Sequence, residues 1–262
     1  MKLSESNRQL IINADDFGWD EDTCKATIEC MELGTVRSAT IMTGRPASAM
    51  ACDYADRNVH RFSFGLHFNI VDEHVPLCRD LRTLVDRRTG TFPASGHQRL
   101  KALRWGFDGL EVQRELRAQL HVLKQYGVRV SHLDSHGHLH KFPSMIKAID
   151  PVLRSLGILR VRRPQNIYGP GASLITRGIN AICTPSFAQL RTTDHLLTVT
   201  SYADSWFRAL LAMLPIGSTE LAIHPGRIEK WRSQELAPLL HTDFHEWISN
   251  NRITLTDFSA IR

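Results

Sequence analysis

Two aspartates stand side by side at the end of an apolar run, Leu10-Ile11-Ile12-Asn13-Ala14-Asp15-Asp16-Phe17-Gly18, and no other stretch restricts the fold as much. An ionised carboxylate is costly to bury unless it is paired, hydrogen-bonded or bound to a metal. The run reads as a buried strand and Phe17-Gly18 as its exit turn, which places both acids at a carboxyl edge, where α/β enzymes carry their sites. Neighbouring residues at a strand end point in different directions. One aspartate could therefore hold a metal while the other handles a proton. The plainer alternative is that one of them caps a helix beginning near Asp20 or Asp22 while the other is solvated.

The rest of the chain supplies partners at similar places. A helix is expected over 21–33, stopped by Gly34, then a strand over 36–42 and a helix opened by Pro46. In 62–69, Phe62, Phe64, Leu66 and Phe68 alternate with Ser63, Gly65, His67 and Asn69, which puts His67 and Asn69 on the polar face at a strand end. Residues 71–107 are irregular and read as a lid or binding loop. Asp108-Gly-Leu-Glu111 resembles a capping box opening a scaffold helix with Val112, Leu116, Leu120 and Leu123 along one stripe. A strand over 128–134 then runs into Ser135-His136-Gly137-His138-Leu139-His140. Four histidines and Asp134 within nine residues supply imidazoles for a borderline divalent metal, with a carboxylate to bind or orient one of them. A histidine-rich exposed loop is the competing explanation.

Pro143 opens another helix, and 158–163 reads as a strand whose Arg162 either binds a polar ligand or is solvated. Residues 164–195 are irregular, with a weak helix over 174–182. A helix over 204–214 and a short strand over 219–223 follow, the strand ending in His224-Pro225-Gly226. A single helix over 233–248 and a strand over 253–255 close the chain. The recurring order of strand, polar terminal residue and helix points to an α/β fold, a barrel or a related layered form. In a barrel, the strand ends carrying Asp16, His67, His136 and His224 converge. Two histidines and a carboxylate leave room on a metal for water or substrate. Asp15 is then placed to accept a proton and His224 to give one.

Composition narrows the classes. With 262 residues and a formal charge of +5, the chain is long enough for one domain, 1–262, with a sizeable core. The arginines are dispersed, with no basic run or recognition helix, so nucleic acid is not an expected partner. Five cysteines without a C-x-x-C pattern indicate neither a zinc cluster nor a disulfide framework. No secretory or membrane-spanning segment is seen, and a cytoplasmic location is expected.

Four segments, Asn13-Ala-Asp-Asp-Phe-Gly18, Gly65-Leu-His-Phe-Asn69, His132-Leu-Asp-Ser-His-Gly-His-Leu-His140 and Ala222-Ile-His-Pro-Gly226, together resemble the YdjC-like family, also called the ChbG/HpnK carbohydrate deacetylases. The resemblance implies a distorted (β/α) barrel of the polysaccharide-deacetylase-like type. It also implies one divalent metal ion per chain, which removes an N-acetyl group from an amino sugar or glycoconjugate and releases acetate. Asp16, His67 and His136 match the family's metal ligands, Asp15 the carboxylate assigned as base, and His224 a family motif suited to a general acid. Asp134, His138, His140, Asn69 and Arg162 are the expected substrate contacts. Zinc, cobalt and nickel suit two imidazoles better than magnesium, which the family also admits. The family commonly has a histidine directly after the ligand equivalent to His136; Gly137 stands there, a change expected to reshape the cleft. A metal-dependent phosphoesterase and a non-catalytic sugar-binding protein are the alternatives, and a homodimer is compatible with the sequence.

Overall fold

The computed structural model describes residues 8–169, 172–199, 202 and 205–262. Among these, eight strands form one parallel sheet: β1 (Arg8–Phe17), β2 (Ser38–Ile41), β3 (Ser63–Phe68), β4 (Val130–Ser135), β5 (Arg160–Val161), β6 (His195–Thr198), β7 (Gly217–Ile223) and β8 (Ile253–Thr256). The order is β5-β4-β3-β2-β1-β7-β6, with β8 paired to β1 off this path. The helices are α1 (Glu21–Glu32), α2 (Ser48–Asn58), α3 (Ser95–Leu103), α4 (Gly109–Gln125), α5 (Pro143–Ser155), α6 (Leu174–Cys183), α7 (Trp206–Met213), α8 (Lys230–Leu236) and α9 (Phe244–Asn250). The sheet curls into a half-barrel, as expected of a distorted β/α barrel. Near its edges, Arg160 of β5 makes an isolated bridge with Arg191, ahead of β6, and the amides of Asn166 and Ile167, beyond β5, donate to the Leu196 carbonyl of β6.

Strands of a parallel sheet covered on both faces are buried throughout, and β1 and β3 are so from Leu10 to Phe17 and from Ser63 to Phe68, with polar residues among the apolar ones. Strand β1 is the centre of the sheet. It pairs with β7 along Arg8 to Ala14 on one edge, while the other edge is shared between β8, at Arg8 to Ile11, and β2, from Asn13 to Phe17. Beyond β8, the Phe258 ring stacks on His132 at 3.7 Å between centroids and fills the barrel floor.

Several elements differ from expectation. Asp20, not Asp15 or Asp16, caps α1, accepting from the Thr23 amide at 2.8 Å and from its hydroxyl at 2.7 Å. The helix expected over 233–248 is two helices, α8 and α9, separated by a 3-10 turn at Ala237–Leu240, where Pro238 breaks the α-helical ladder. Strand β6 was not foreseen; its His-Leu-Leu-Thr is too short to show a period. Part of the helix expected over 204–214 appears as α7, and Asp204 lies outside the described residues. All five cysteines are free. No helix among the described residues is long and apolar enough to cross a membrane.

The irregular segment 71–107 contains α3 and is fastened to α4. Asp108 caps α4 as expected, accepting from Leu110 N at 2.8 Å, but Glu111 does not complete a capping box. Its carboxylate instead accepts the amides of Arg82 at 2.8 Å, Thr83 at 2.7 Å and Leu84 at 3.3 Å. One turn on, Glu115 accepts the amides of Leu77 at 3.1 Å and Cys78 at 2.9 Å. Gln98 of α3 donates to the carbonyls of Ile70 and Leu84. Helix α4 is therefore more than scaffold: its polar residues satisfy backbone groups that a loop would otherwise leave to water.

Glu111→Ala removes a charged acceptor from three amides and is expected to cost roughly 2–3 kcal/mol, or several degrees in melting midpoint. Limited trypsinolysis should then cut at Arg79, Arg82, Arg87 or Arg88 well before the wild type is cut, and unchanged cleavage would refute the tether. Burial raises the Glu111 pKa, but the Thr83 amide and hydroxyl and the neighbouring amides outweigh it and hold the group below its ordinary 4.5. The tether is thus complete above about pH 4.5 and is lost as pH falls through the depressed value. In Glu111→Gln this acid-dependent release should be absent.

Candidate active site

The two aspartates are separated by backbone geometry. The β1–β2 register shifts between Ala14 and Phe17, and Asp16 takes a left-handed conformation with φ of 60°. Aspartate tolerates this region better than most residues, because its short side chain can bond locally. The irregularity sends Asp15 into the barrel and Asp16 toward the ends of β3 and β4.

Asp16 Oδ1 lies 2.9 Å from His136 Nδ1 and 3.3 Å from His67 Nε2, and the two imidazole nitrogens are 3.3 Å apart. Donors about 2.0–2.2 Å from a common ion sit roughly 3.0–3.5 Å from one another. The arrangement fits a divalent cation, and its two imidazoles and one carboxylate suit zinc, cobalt or nickel. Behind His67, Nδ1 donates to Asp134 Oδ1 at 2.7 Å, so Nε2 is the nitrogen turned toward Asp16, the one that would give up its proton to a bound cation. Thr40 Oγ1 donates to Asp134 Oδ2 at 3.0 Å. Burial disfavours the charged imidazole, yet Asp134, Asp16 and Asp15 push His67 up to about 10. Asp15, His67 and Asp134 also cluster closely, but a guanidinium already fills the place a cation would take.

That guanidinium belongs to Arg162, which is fully buried. Its Nη1 and Nη2 donate to the two Asp15 oxygens, each at 2.6 Å; Nη1 also meets Asp134 at 2.8 Å, and Nε meets Glu220 at 2.6 Å. Burial would raise the Asp15 pKa, but Arg162 overrides it and holds the carboxyl well below the usual range. Glu220 receives less of the guanidinium, and burial pushes it up to about 7.

His224 faces Asp15 from the end of β7, with Nε2 3.8 Å from Asp15 Oδ2. Glu235 of α8 holds it from behind, accepting the His224 amide at 2.5 Å and lying 3.2 Å from Nδ1. The Tyr202 hydroxyl donates to the other Glu235 oxygen at 2.6 Å. Burial lowers the pKa of His224, while Glu235, Asp16 and Asp15 more than reverse it and raise the net value.

The geometry therefore brings Asp15, Asp16, His67, His136 and His224 together at one sheet edge. Of the expected substrate contacts, Asp134 and Arg162 stand directly behind these residues, bonded to His67 and Asp15. Arg162 and Asp134 are shut inside the barrel and bound to one another. Asn69 is buried at the turn after β3, where its amide and carbonyl bond Gln119 and its Oδ1 accepts from Val71 N. His140 is buried beneath the site, between Ser135 Oγ at 2.7 Å and the Arg162 carbonyl at 3.0 Å. His138, half-buried with φ of 54°, lines a cavity of about 20 Å³ with Lys141, Arg163 and Gln165, away from the triad. Of the four clustered histidines, His136 alone joins Asp16 and His67. Gly137 adopts φ of 64°, and a Cβ there would come within 3.2 Å of Ser95 Cβ, so Ser95 of α3 lies against this glycine.

Other residues of the site were missed. Glu220, a charge within the apolar run Thr219-Glu220-Leu221-Ala222-Ile223, carries the same signal as Asp15 and Asp16 and could have been read. Asp72 Oδ2, 3.6 Å from His136 Nε2, and Trp19, stacked on His136 at 5.7 Å, sit in loops without a distinguishing pattern. Arg232, whose Nη2 donates to Asp16 Oδ2 at 2.7 Å, had no signal in the sequence.

The chain is similar to known proteins over nearly its whole length. A curated carbohydrate deacetylase of Vibrio vulnificus (strain YJ016) is 31% identical over 97% of this chain and 96% of its own length. Another, from Brevibacillus brevis, is 26% identical over 97% and 99%. A carbohydrate deacetylase of Geobacillus stearothermophilus is 30% identical over 61% of this chain and 63% of its own. A crystal structure from Enterococcus faecalis V583, whose name proposes cellobiose-phosphate cleavage, superposes with a TM-score of 0.78 and 23% identity, covering 97% of this chain and 98% of that one, and so shares the fold. The sequence profile of the YdjC-like protein family matches residues 9–250, from within β1 to the end of α9 and across every residue of the site, and the chain belongs to that family.

Proposed function

We propose that this protein is a metal-dependent carbohydrate deacetylase that hydrolyses the N-acetyl group of an amino sugar or glycoconjugate to acetate and a free amine. The observation that carries the reading is the juxtaposition of the Asp16, His67 and His136 donors with an ionised Asp15 and a carboxylate-backed His224. The names of the curated relatives support it. When bound by Asp16, His67 and His136, the ion would supply Lewis acidity toward the acetamide carbonyl.

The remaining work falls to the chain's own groups. Asp15 accepts the proton of the attacking water as oxygen bonds to the carbonyl carbon. Arg162 keeps Asp15 ionised and aimed. His224, protonated and fixed by Glu235, delivers a proton from Nε2 to the nitrogen as the C–N bond breaks. Asp134 orients His67 and does not meet the sugar.

Purified protein supplied in turn with Zn²⁺, Co²⁺, Ni²⁺ or Mg²⁺ should release acetate from some member of a panel of N-acetylated sugars, and EDTA should abolish the release. Asp15→Asn and His224→Ala should each lower kcat by about 10²–10⁴-fold with smaller changes in KM. Phosphate release from phosphosugars without acetate release would refute the reading in favour of a phosphoesterase. Sugar binding with turnover insensitive to both substitutions would refute it in favour of a binding protein.

The pH profile tests His224 separately. An acid must be protonated to act, and Glu235 raises the pKa of His224. In Glu235→Gln the alkaline limb of kcat/KM should move to lower pH, and an unmoved limb would remove His224 from the role.

A further inference from the structure

Arg232 has no part in the chemistry above, yet its guanidinium ends on Asp16. We propose that Arg232 is a positioning residue of the metal centre, confining Asp16 to a single-oxygen contact with the ion. The proposal rests on the reading of Asp16, His67 and His136 as that centre.

The two Asp16 oxygens have separate surroundings. Oδ1 is 2.9 Å from His136 Nδ1 and 3.3 Å from His67 Nε2, whereas Oδ2 accepts from Arg232 Nη2 at 2.7 Å. A carboxylate on one rotatable bond can offer either oxygen, or both, to a cation. A charge-assisted bond to one oxygen removes that freedom.

Arg232 is itself held in place. Its Nε donates to Glu229 at 2.5 Å, its guanidinium carbon lies 4.4 Å over the Trp231 ring, and its Cδ packs against Gly226, where a Cβ would come within 3.0 Å. The side chain is 6% exposed, and Nη1 is buried with no hydrogen-bond partner among the described residues. A buried donor left unmatched calls for a reason, and the bond to Asp16 provides one. Three residues further along α8, Glu235 grips His224. One helical turn therefore braces the metal-side carboxylate and the proposed acid together.

Co²⁺ titration of the metal-free protein, followed by calorimetry and by the visible spectrum, tests the role without relying on turnover. The wild type should bind one ion, and His136→Ala should lose it. Wild-type protein that binds none, or whose binding survives His136→Ala, would overturn the metal-centre reading and the Arg232 proposal with it. Given binding that depends on His136, Arg232→Gln should weaken it about tenfold or more and alter the spectrum, as Asp16 becomes free to offer two oxygens. Arg232→Lys should recover part of the affinity. Removing a positive charge would, on Coulomb grounds alone, tighten cation binding, so a weaker site separates positioning from charge. A purely structural ion pair would lower the melting midpoint of the metal-free protein and leave Co²⁺ affinity unchanged. Wild-type or tighter affinity with an unaltered spectrum would overturn the proposal. If Arg232→Gln does not fold, Arg232→Lys decides by the same readouts: weaker binding supports the role, and wild-type binding overturns it.

Discussion

The buried guanidinium of Arg162 is the interaction on which the arrangement depends. It draws Asp15 from β1, Asp134 from β4 and Glu220 from β7 onto one planar group, fixing three strands at one level of the barrel. Burying charges in this way is tolerable when geometry is good and each group is paired, and strongly destabilising when one partner is removed. Three carboxylates exceed one guanidinium in charge, and the excess falls on Glu220, whose second oxygen has no partner among the described residues. Asp134 carries the constraint outward by meeting Arg162 through one oxygen and His67 through the other. The orientation of a candidate metal ligand is thereby tied to the packing of the barrel interior.

Much of this was legible in the sequence because strand ends announce themselves. A carboxylate pair after an apolar run, a histidine at the end of an alternating strand and a His-Pro-Gly exit each mark a place where chain emerges at the sheet's carboxyl edge. The parallel topology brings those places together. Sequence periodicity says which face a residue takes and not what it meets there. Arg162 could be read as solvated or ligand-binding because nothing local shows that three acids wait inside. Arg232 was invisible for the same reason, since its partner is more than two hundred residues away. His138 and His140 follow His136 at alternate positions, and the successive left-handed residues Gly137 and His138 turn the chain away before they can join it.

Segment 71–107 shows the complementary limit. Its composition suggested a loop, and most of its backbone has no sheet or helix to enter. The hydrogen bonds it needs come from Glu111, Glu115 and Gln98, polar residues whose positions looked like an ordinary solvated helix face or loop. Such a segment is ordered by side chains reaching in from elsewhere, so its own sequence carries little of the pattern. Its α3 packs against Gly137, and Asp72 approaches His136, so this ordered insertion forms part of the wall around the triad.

Strand β1 has a consequence for how the protein is made. Residues up to His136 contain every candidate metal donor, and β1 to β4 can begin to assemble once they are synthesised. Yet β1, the longest strand, gains its partner on one side at β7 and its lower partner on the other at β8, more than two hundred residues later. Until then Leu10, Ile11 and Ile12 form an open edge of the kind that pairs with other chains. The donors emerge early and their bracing late, so the nascent protein passes through a long interval in which its adhesive edge is complete and its barrel is not.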